Sequence, residues 1–278
     1  MSKKKSNQFI KSPLRYPGGK QKAVDFLSLF FPQEIDAFVE PMVGGGSVML
    51  YVRQQYPKAE LWINDLNPEV YIFWKSVRDD LDNLIKGVEA WYSVKKNFLT
   101  KEKKFFEFLK NICPETLGFT NRAARWYVLN RVTFSGTLES GGFSKDAFHK
   151  RFTISSIERL AKLKGLLEGT VITNIDYESC LSTKAKQGEF VFLDPPYLSA
   201  EKSKLYGVNG SLHTGFPHAR LKEVVHGLTN PVIITYDDSE AVRNLYPEEK
   251  YEKIAWELGY GMTNGKTGKE LIIRNYKS

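Results

Sequence analysis

Residues 191–200, VFLDPPYLSA, combine side chains that are seldom found together at the end of a buried strand. Apolar residues run directly into Asp194, Pro195, Pro196 and Tyr197. Proline cannot continue a sheet ladder or a helix interior, so the strand has to stop in a rigid turn. The stretch therefore offers a carboxylate that accepts hydrogen bonds, a backbone carbonyl held in one direction and an aromatic face for stacking.

A second candidate site is the Gly-rich turn in FVEPMVGGGSVML, where Glu40 closes an apolar run and Gly44 to Gly46 lead into a helical pattern. Glycines let a ligand approach the backbone, and a helix N-terminus offers free N–H groups. The turn matches neither G-x-G-x-x-G nor a P-loop. Asp65 closes the next apolar run and is placed to hold ribose hydroxyls, unless it only caps the following helix.

A third stretch, RYPGGK, is a Pro-Gly-Gly turn flanked by Tyr16 and Lys20. An aromatic face and a cation beside a turn can contact a ligand. Taken alone, the pattern is more typical of an ordinary helix entry.

The elements that position these residues follow from the apolar runs. Five short runs are predicted to be parallel strands, at 36–40, 59–65, 170–176, 188–194 and 231–237. Helical patterns lie between them, which indicates a doubly wound, mostly parallel α/β sheet. The runs 251–258 and 269–276 predict an antiparallel C-terminal hairpin at the sheet edge.

Carboxylates close four of the five parallel runs, with Asp237 as a weaker fifth; the four are Glu40, Asp65, Asp176 and Asp194. Ligands of open α/β sheets bind outside the carboxyl ends of the strands. A helix cap explains any one of these acids, but it explains four on the same edge less well.

One connection is too long for a simple crossover, because about a hundred residues separate the second run from the third where a dozen or more suffice. We therefore expect a smaller, mainly helical domain at 81–164, inserted into a domain made of 1–80 and 165–278. Residues 81–165 carry 16 Lys/Arg against eight Asp/Glu, and residues 1–22 carry seven basic residues and no acidic one. Such charge indicates a polyanionic partner, although solvated helix faces would carry it as well.

Composition excludes several other classes. The 278-residue chain contains no apolar run of about 18 residues, so we expect no membrane span. The N-terminal stretch has no apolar core typical of a secretory signal, and we expect a cytoplasmic protein. Cys113 and Cys180 are isolated, and the four histidines show no ligand spacing, so neither a disulfide framework nor a metal site is predicted.

Five stretches, in the order PLRYPGGK, FVEPMVGGGSV, INDLNP, NRVTFSG and FLDPPY, resemble the Dam-type (alpha-class, D12) DNA adenine N6-methyltransferases. The C-terminal MTNGKTGKELIIRNY is similar to that family's last motif. The resemblance implies a Rossmann-like domain that binds S-adenosylmethionine, a target-recognition domain at 81–164, double-stranded DNA as partner and no metal. We expect a monomer encoded by a bacterium or a phage, and the sequence leaves open which of the two it is and whether a cognate restriction endonuclease is a partner.

The resemblance further implies roles for individual residues. The implied catalytic residues are Asp194, Pro195, Pro196 and Tyr197. The implied cofactor-binding residues are Tyr16, Gly18, Gly19, Lys20, Glu40, Gly44, Gly46, Asp65, Asp176, Tyr177 and Asp194. The predicted DNA-binding residues are Arg122, Arg125, Asn130, Arg131, Ser135 and Lys145. By contrast, Trp126, Tyr127 and Leu129 are interpreted as core residues of the insertion.

The chemistry of DPPY agrees with this resemblance. The exocyclic amine of adenine is a poor nucleophile, because its lone pair is delocalised into the ring. Two acceptors, the Asp194 carboxylate and the Pro195 carbonyl, would localise that pair on nitrogen, while Tyr197 stacks on the base for about 1–3 kcal/mol. Catalysis then rests on positioning and polarisation. A base in a duplex must flip out to reach such a site, and we expect the stretch after DPPY to be a mobile closing loop.

Three other functions fit less well. An N-methyltransferase acting on RNA or protein glutamine would more often carry Asn in place of Asp194. A catalytically silent DNA-binding module would not need the intact Asp194 and Gly-rich turn. A nicotinamide oxidoreductase would be expected to carry G-x-G-x-x-G.

Overall fold

A computed structural model of the chain describes residues 9–136, 142–184, 188–198, 215–259 and 267–277. Its centre is a seven-stranded sheet in the order β3-β2-β1-β4-β5-β7-β6. Strands β1 to β5 are parallel, and β7 pairs antiparallel with both β5 and β6. The strands are β1 (Ala37–Glu40), β2 (Glu60–Asn64), β3 (Val171–Thr173), β4 (Phe190–Leu193), β5 (Val232–Asp237), β6 (Glu252–Gly259) and β7 (Thr267–Arg274).

The parallel strands and the antiparallel edge hairpin confirm the predicted α/β class. The strand predicted at 170–176 is shorter in the structure, where β3 spans only Val171–Thr173. Strand β4 is buried along its whole length, as the continuous apolar run FVFL requires of a central strand. The strand ends at Leu193, so Asp194 is the first residue after its carboxyl end.

Helices cover the sheet and fill the long connection. The helices are α1 (Val24–Leu27), α2 (Ser47–Gln55), α3 (Pro68–Asp79), α4 (Leu81–Lys95), α5 (Glu102–Asn111), α6 (Phe119–Val132), α7 (Lys145–Lys150), α8 (Ile154–Ala161), α9 (Tyr177–Lys184), α10 (His218–His226) and α11 (Glu240–Leu245). Short 3-10 turns add Lys20–Lys22, Ser28–Phe30, Lys96–Phe98, Pro114–Thr116 and Phe134–Gly136. Helices α3 and α4 are separated only by Asp80, whose backbone is non-helical (φ −150°, ψ 43°).

Helix α3 begins at a Pro, which is favoured in the first helical position. The Asn67 side chain caps it by accepting a hydrogen bond from the Glu69 amide at 3.0 Å. Asp65 accepts from the Asn67 amide at 2.9 Å, so the acid after β2 also fixes this helix start.

The insertion at 81–164 is helical in its described elements, with one isolated antiparallel bridge between Thr133 and Phe143. Its buried side chains join the same hydrophobic cluster as one face of the sheet. Phe73 of α3 lies 5.5 Å from Trp126 and stacks on Tyr127 at 5.8 Å, measured between ring centroids. Trp126, Tyr127 and Leu129 are buried, as predicted. Within the described part, no helix is long and apolar enough to cross a membrane.

Candidate active site

Asp194 lies at the carboxyl end of β4 and receives hydrogen bonds from two distant parts of the chain. Lys20 Nζ lies 2.6 Å from Asp194 Oδ1 and 2.7 Å from Oδ2. Thr235, inside the neighbouring β5, donates its hydroxyl to Oδ1 at 2.7 Å. The Asp194 side chain is 20% exposed whereas that of Lys20 is 3% exposed, so the carboxylate remains reachable beside a buried cation.

Tyr197 is held at its hydroxyl, which donates to Glu270 Oε2 at 2.6 Å. Glu270 belongs to β7 and is buried. Its burial raises the pKa of the Glu270 carboxyl, while Lys20 and the Tyr197 hydrogen bond act in the opposite direction. Lys20 Nζ lies 5.1 Å from the centroid of the Tyr197 ring, within cation–π range. The structure thus brings Lys20, Asp194 and Tyr197 together.

The Gly-rich turn packs closely against the N-terminal segment. Gly44 has φ +43°, and a Cβ there would lie 2.7 Å from the Tyr16 ring. Gly46 has φ +67°, and a Cβ there would lie 2.5 Å from Trp74. Trp74 donates its indole N–H to the Gly44 carbonyl at 3.0 Å. Glycine is therefore required at both positions by backbone conformation and by space.

Two buried acids flank this turn. Asp65 Oδ2 accepts from the Gly44 amide at 2.8 Å, and burial raises the pKa of Asp65 to about 6. Burial holds the pKa of Glu40 well above its ordinary value, and the nearby Asp194 carboxylate adds to the effect. Glu40 Oε2 is buried and meets no hydrogen-bond partner within the described residues. An unpaired buried oxygen of this kind is suited to a ligand with an N–H or O–H donor.

Asp176 and Tyr177 lie farther along the same edge. Asp176 is exposed and accepts from the Glu178 amide at 2.8 Å, so it also caps the start of α9. Tyr177 is buried, and its ring lies 5.6 Å from that of Phe216. The predicted closing loop lies almost wholly at 199–214, outside the described residues, as does His213.

The six predicted DNA-binding residues differ in how far they are exposed. Arg125, Asn130 and Arg131 are each 3% exposed or less, and the Asn130 side chain and both guanidinium groups bond to backbone atoms. Arg122 forms an ion pair with Glu69, Ser135 is 9% exposed, and Lys145 is exposed with its Nζ 3.3 Å from Glu102. Burial disfavours direct DNA contact by Arg125, Asn130 and Arg131, and DNA binding by all six stays a prediction.

Sequence reasoning missed Thr235 and Glu270, the partners of Asp194 and Tyr197. Each is a polar residue in a largely apolar strand, and each is almost fully buried. That interruption of VIITYD and ELIIR is the signal that could have pointed to them, because a polar side chain in a central strand needs a buried partner. The sequence does not say which partner it finds.

Comparison with known proteins agrees with this geometry. The model of the D12 class N6 adenine-specific DNA methyltransferases matches residues 16–258. The chain is 23% identical over 276 residues to type II methyltransferase M.CviBI of Paramecium bursaria Chlorella virus NC1A, covering 96% of this chain and 100% of the relative. It is 28% identical over 214 residues to type II methyltransferase M.MjaIII of Methanocaldococcus jannaschii, covering 71% and 72%. It is 20% identical over 257 residues to a DNA adenine methylase of Haemophilus influenzae, covering 87% and 84%. With the family model spanning both the Gly-rich turn and DPPY, the chain belongs to the D12 class of N6 adenine-specific DNA methyltransferases.

Proposed function

We propose that the chain transfers a methyl group from S-adenosylmethionine to N6 of a specific adenine in double-stranded DNA, with the adenine flipped out of the helix. The observation that carries the proposal is the environment of Asp194. The carboxylate stands at the ligand edge of the sheet, oriented by Lys20 and Thr235 and followed by a Tyr whose hydroxyl is anchored.

The residues around the Gly-rich turn fit the methyl donor. The unpartnered Glu40 oxygen can accept from the ammonium of its methionine part. Asp65 receives one backbone N–H bond on each oxygen, so each keeps a lone pair for a ribose hydroxyl. Tyr177, Asp176, Gly18 and Gly19 are proposed to contribute further contacts. Bound there, S-adenosylmethionine supplies a methyl group already activated as a sulfonium.

The chain's own residues prepare the amine. Asp194 Oδ1 accepts from Lys20 and Thr235, whereas Oδ2 accepts from Lys20 alone among the described residues. Oδ2 therefore retains a lone pair for one N6 hydrogen, and the Pro195 carbonyl takes the other. Both bonds draw the amine lone pair out of conjugation with the ring. Tyr197 stacks on the base and fixes its plane, so the chemistry depends on orientation and electrostatics.

We further propose that 1–80 and 165–278 form the catalytic domain and that 81–164 recognises the target sequence. The excess of basic residues in that segment supports contact with a phosphate backbone. A monomeric state and a cognate restriction endonuclease stay predictions.

The test of the function compares substrates and a single variant. The protein and radiolabelled S-adenosylmethionine are incubated in three separate reactions, with duplex DNA, with RNA and with a protein substrate. We expect label in duplex DNA, and loss of transfer by about 10²- to 10³-fold in Asp194→Ala, since an acceptor in contact with the reacting amine is removed. DNA binding by that variant, measured by fluorescence anisotropy, should stay near wild type. Label confined to RNA or protein would refute the substrate, and an active Asp194→Ala would refute the site.

A further inference from the structure

The segment at 12–20 connects the catalytic edge of the sheet to helix α6. On one side, the Tyr16 ring packs on Gly44 and Lys20 reaches Asp194. Ser12 adds a hydrogen bond from its hydroxyl to the Gly45 carbonyl at 2.5 Å. A small displacement of this segment would therefore move an aromatic ring and a cation of the site together.

On the other side, Asn130 binds both backbone polar groups of Arg15. Its Oδ1 accepts from the Arg15 amide at 2.9 Å, and its Nδ2 donates to the Arg15 carbonyl at 2.7 Å. Asn130 is completely buried. The Asn130 side chain thus satisfies both backbone hydrogen-bonding groups of Arg15, the residue immediately before Tyr16.

Arg131 adds to the contact between residues 12–20 and the end of α6, which is called the junction from here on. Its Nη1 donates to the Pro13 carbonyl at 3.0 Å, and its Nε donates to the Arg151 carbonyl at 2.9 Å. Burial lowers the pKa of Arg131 to about 10, so the guanidinium remains charged at neutral pH. In the opposite direction, Arg15 Nη1 donates to the Thr133 carbonyl at 2.9 Å.

Close packing leaves the junction little freedom. Gly136 follows α6 with φ +75°, and a Cβ at this position would collide with the Arg15 carbonyl oxygen. Asn130, Arg131 and Gly136 all belong to the NRVTFSG stretch, and each contacts residues 13–15. These contacts account for Asn130 and Arg131 without DNA.

We propose that Asn130 and Arg131 are positioning residues that hold residues 13–15 and, through them, set Tyr16 against the Gly-rich turn and Lys20 against Asp194. They act on the cofactor and catalytic groups from within the basic insertion, and they make no direct contact with DNA. This inference rests on the proposed function of the site.

The test uses Asn130→Asp, which replaces the Nδ2 donor with an oxygen facing the Arg15 carbonyl. We expect the dissociation constant for S-adenosylmethionine, measured by calorimetry without DNA, to rise about tenfold or more, because a buried carbonyl loses its partner and meets a like charge. Asn121→Asp is the matched control, since Asn121 is exposed on the same helix and the charge change is identical. It should bind S-adenosylmethionine as the wild type does.

The salt dependence of DNA binding separates this proposal from the alternative that Arg131 contacts a DNA phosphate. If Arg131 contacts a phosphate, Arg131→Met lowers the slope of log K against log salt by about 1 and leaves S-adenosylmethionine binding unchanged. That result, or unchanged S-adenosylmethionine affinity in Asn130→Asp, would overturn the proposal. The proposal expects an unchanged salt slope and weakened S-adenosylmethionine binding in both variants. A wild-type protein that does not bind S-adenosylmethionine would instead refute the proposed function.

A measurement on the wild type avoids any folding defect of the variants. Hydrogen exchange followed by mass spectrometry is compared with and without S-adenosylmethionine, in the absence of DNA. The junction predicts slower exchange both in 13–20 and in 128–136, although the second segment lies outside the proposed cofactor site. Slower exchange confined to 13–20 would overturn the proposal.

Discussion

At the scale of single residues, the Asp194 carboxylate is held by hydrogen bonds from residues that are remote in sequence. Lys20 and Thr235 stand 174 and 41 positions from Asp194, yet both bond to it. A hydroxyl and an ammonium on Oδ1 restrict the rotation of the carboxylate, and Oδ2, which accepts from Lys20, is the oxygen proposed to face the adenine amine. Orientation of this kind affects the rate of the chemical step more than the binding of either substrate.

Thr235→Val removes the hydroxyl and keeps the shape of the side chain. We expect kcat to fall about tenfold, the value of one lost hydrogen bond to a charged group, with little change in KM for DNA. Thr235→Ser should recover most of the loss. Single-turnover methylation measures the step directly.

The control for that variant is Thr170→Val. Thr170 is equally buried, and its hydroxyl accepts from Arg53 at 3.2 Å, but it precedes β3 at the opposite end of the sheet. It should cost about 1 kcal/mol of unfolding free energy without lowering kcat. Equal losses of kcat in both variants would assign Thr235 a general structural role.

At the scale of elements, the Gly-rich turn is shaped by what packs on it. Tyr16 covers Gly44 and Trp74 covers Gly46, so the turn cannot accept side chains. The helix that follows, α2, begins at Ser47 immediately after Gly46 in the left-handed conformation. The turn, the N-terminal segment and the start of α2 therefore form one packed unit.

Gly44→Ala tests that unit. A Cβ would strain the backbone at φ +43° and push the Tyr16 ring aside, so we expect S-adenosylmethionine affinity to fall by at least tenfold and the protein to lose about 1–3 kcal/mol of unfolding free energy. Gly118→Ala, where φ is −60° and no atom lies within 4 Å of the added Cβ, serves as control. Similar affinities for both variants would contradict the packing argument.

The sequence predicted the elements better than it predicted the use of their polar residues. Runs such as FVFL identify buried strands because period and composition are local properties. The positioning roles proposed for Asn130 and Arg131 depend on backbone groups of residues 13–15, more than a hundred positions away. A basic residue in a basic segment is naturally assigned to DNA, and burial by a distant backbone segment leaves no local pattern.

At the scale of the whole molecule, the insertion and the sheet share one core. The cluster that contains Phe38 and Phe192 of the sheet also contains Trp126 and Phe148 of the insertion. Aromatic contacts such as Phe73 with Tyr127 cross the boundary between them. The insertion at 81–164 is thus packed on the sheet through a shared core.

We therefore expect one cooperative unfolding transition. Far-UV circular dichroism and tryptophan fluorescence should give coincident denaturant curves, because neither part keeps its core when the other unfolds. An excised fragment 81–164 should lack the near-UV signal of fixed aromatic side chains. Two separate transitions, or a folded fragment, would contradict the shared core.

The central claim is tested most directly by the identity of the methylated product. Duplex DNA treated with the protein and S-adenosylmethionine is digested to nucleosides and analysed by mass spectrometry. The proposed site predicts N6-methyldeoxyadenosine, formed by the wild type and absent with Asp194→Ala. A methylated cytosine, or the same product from Asp194→Ala, would contradict it.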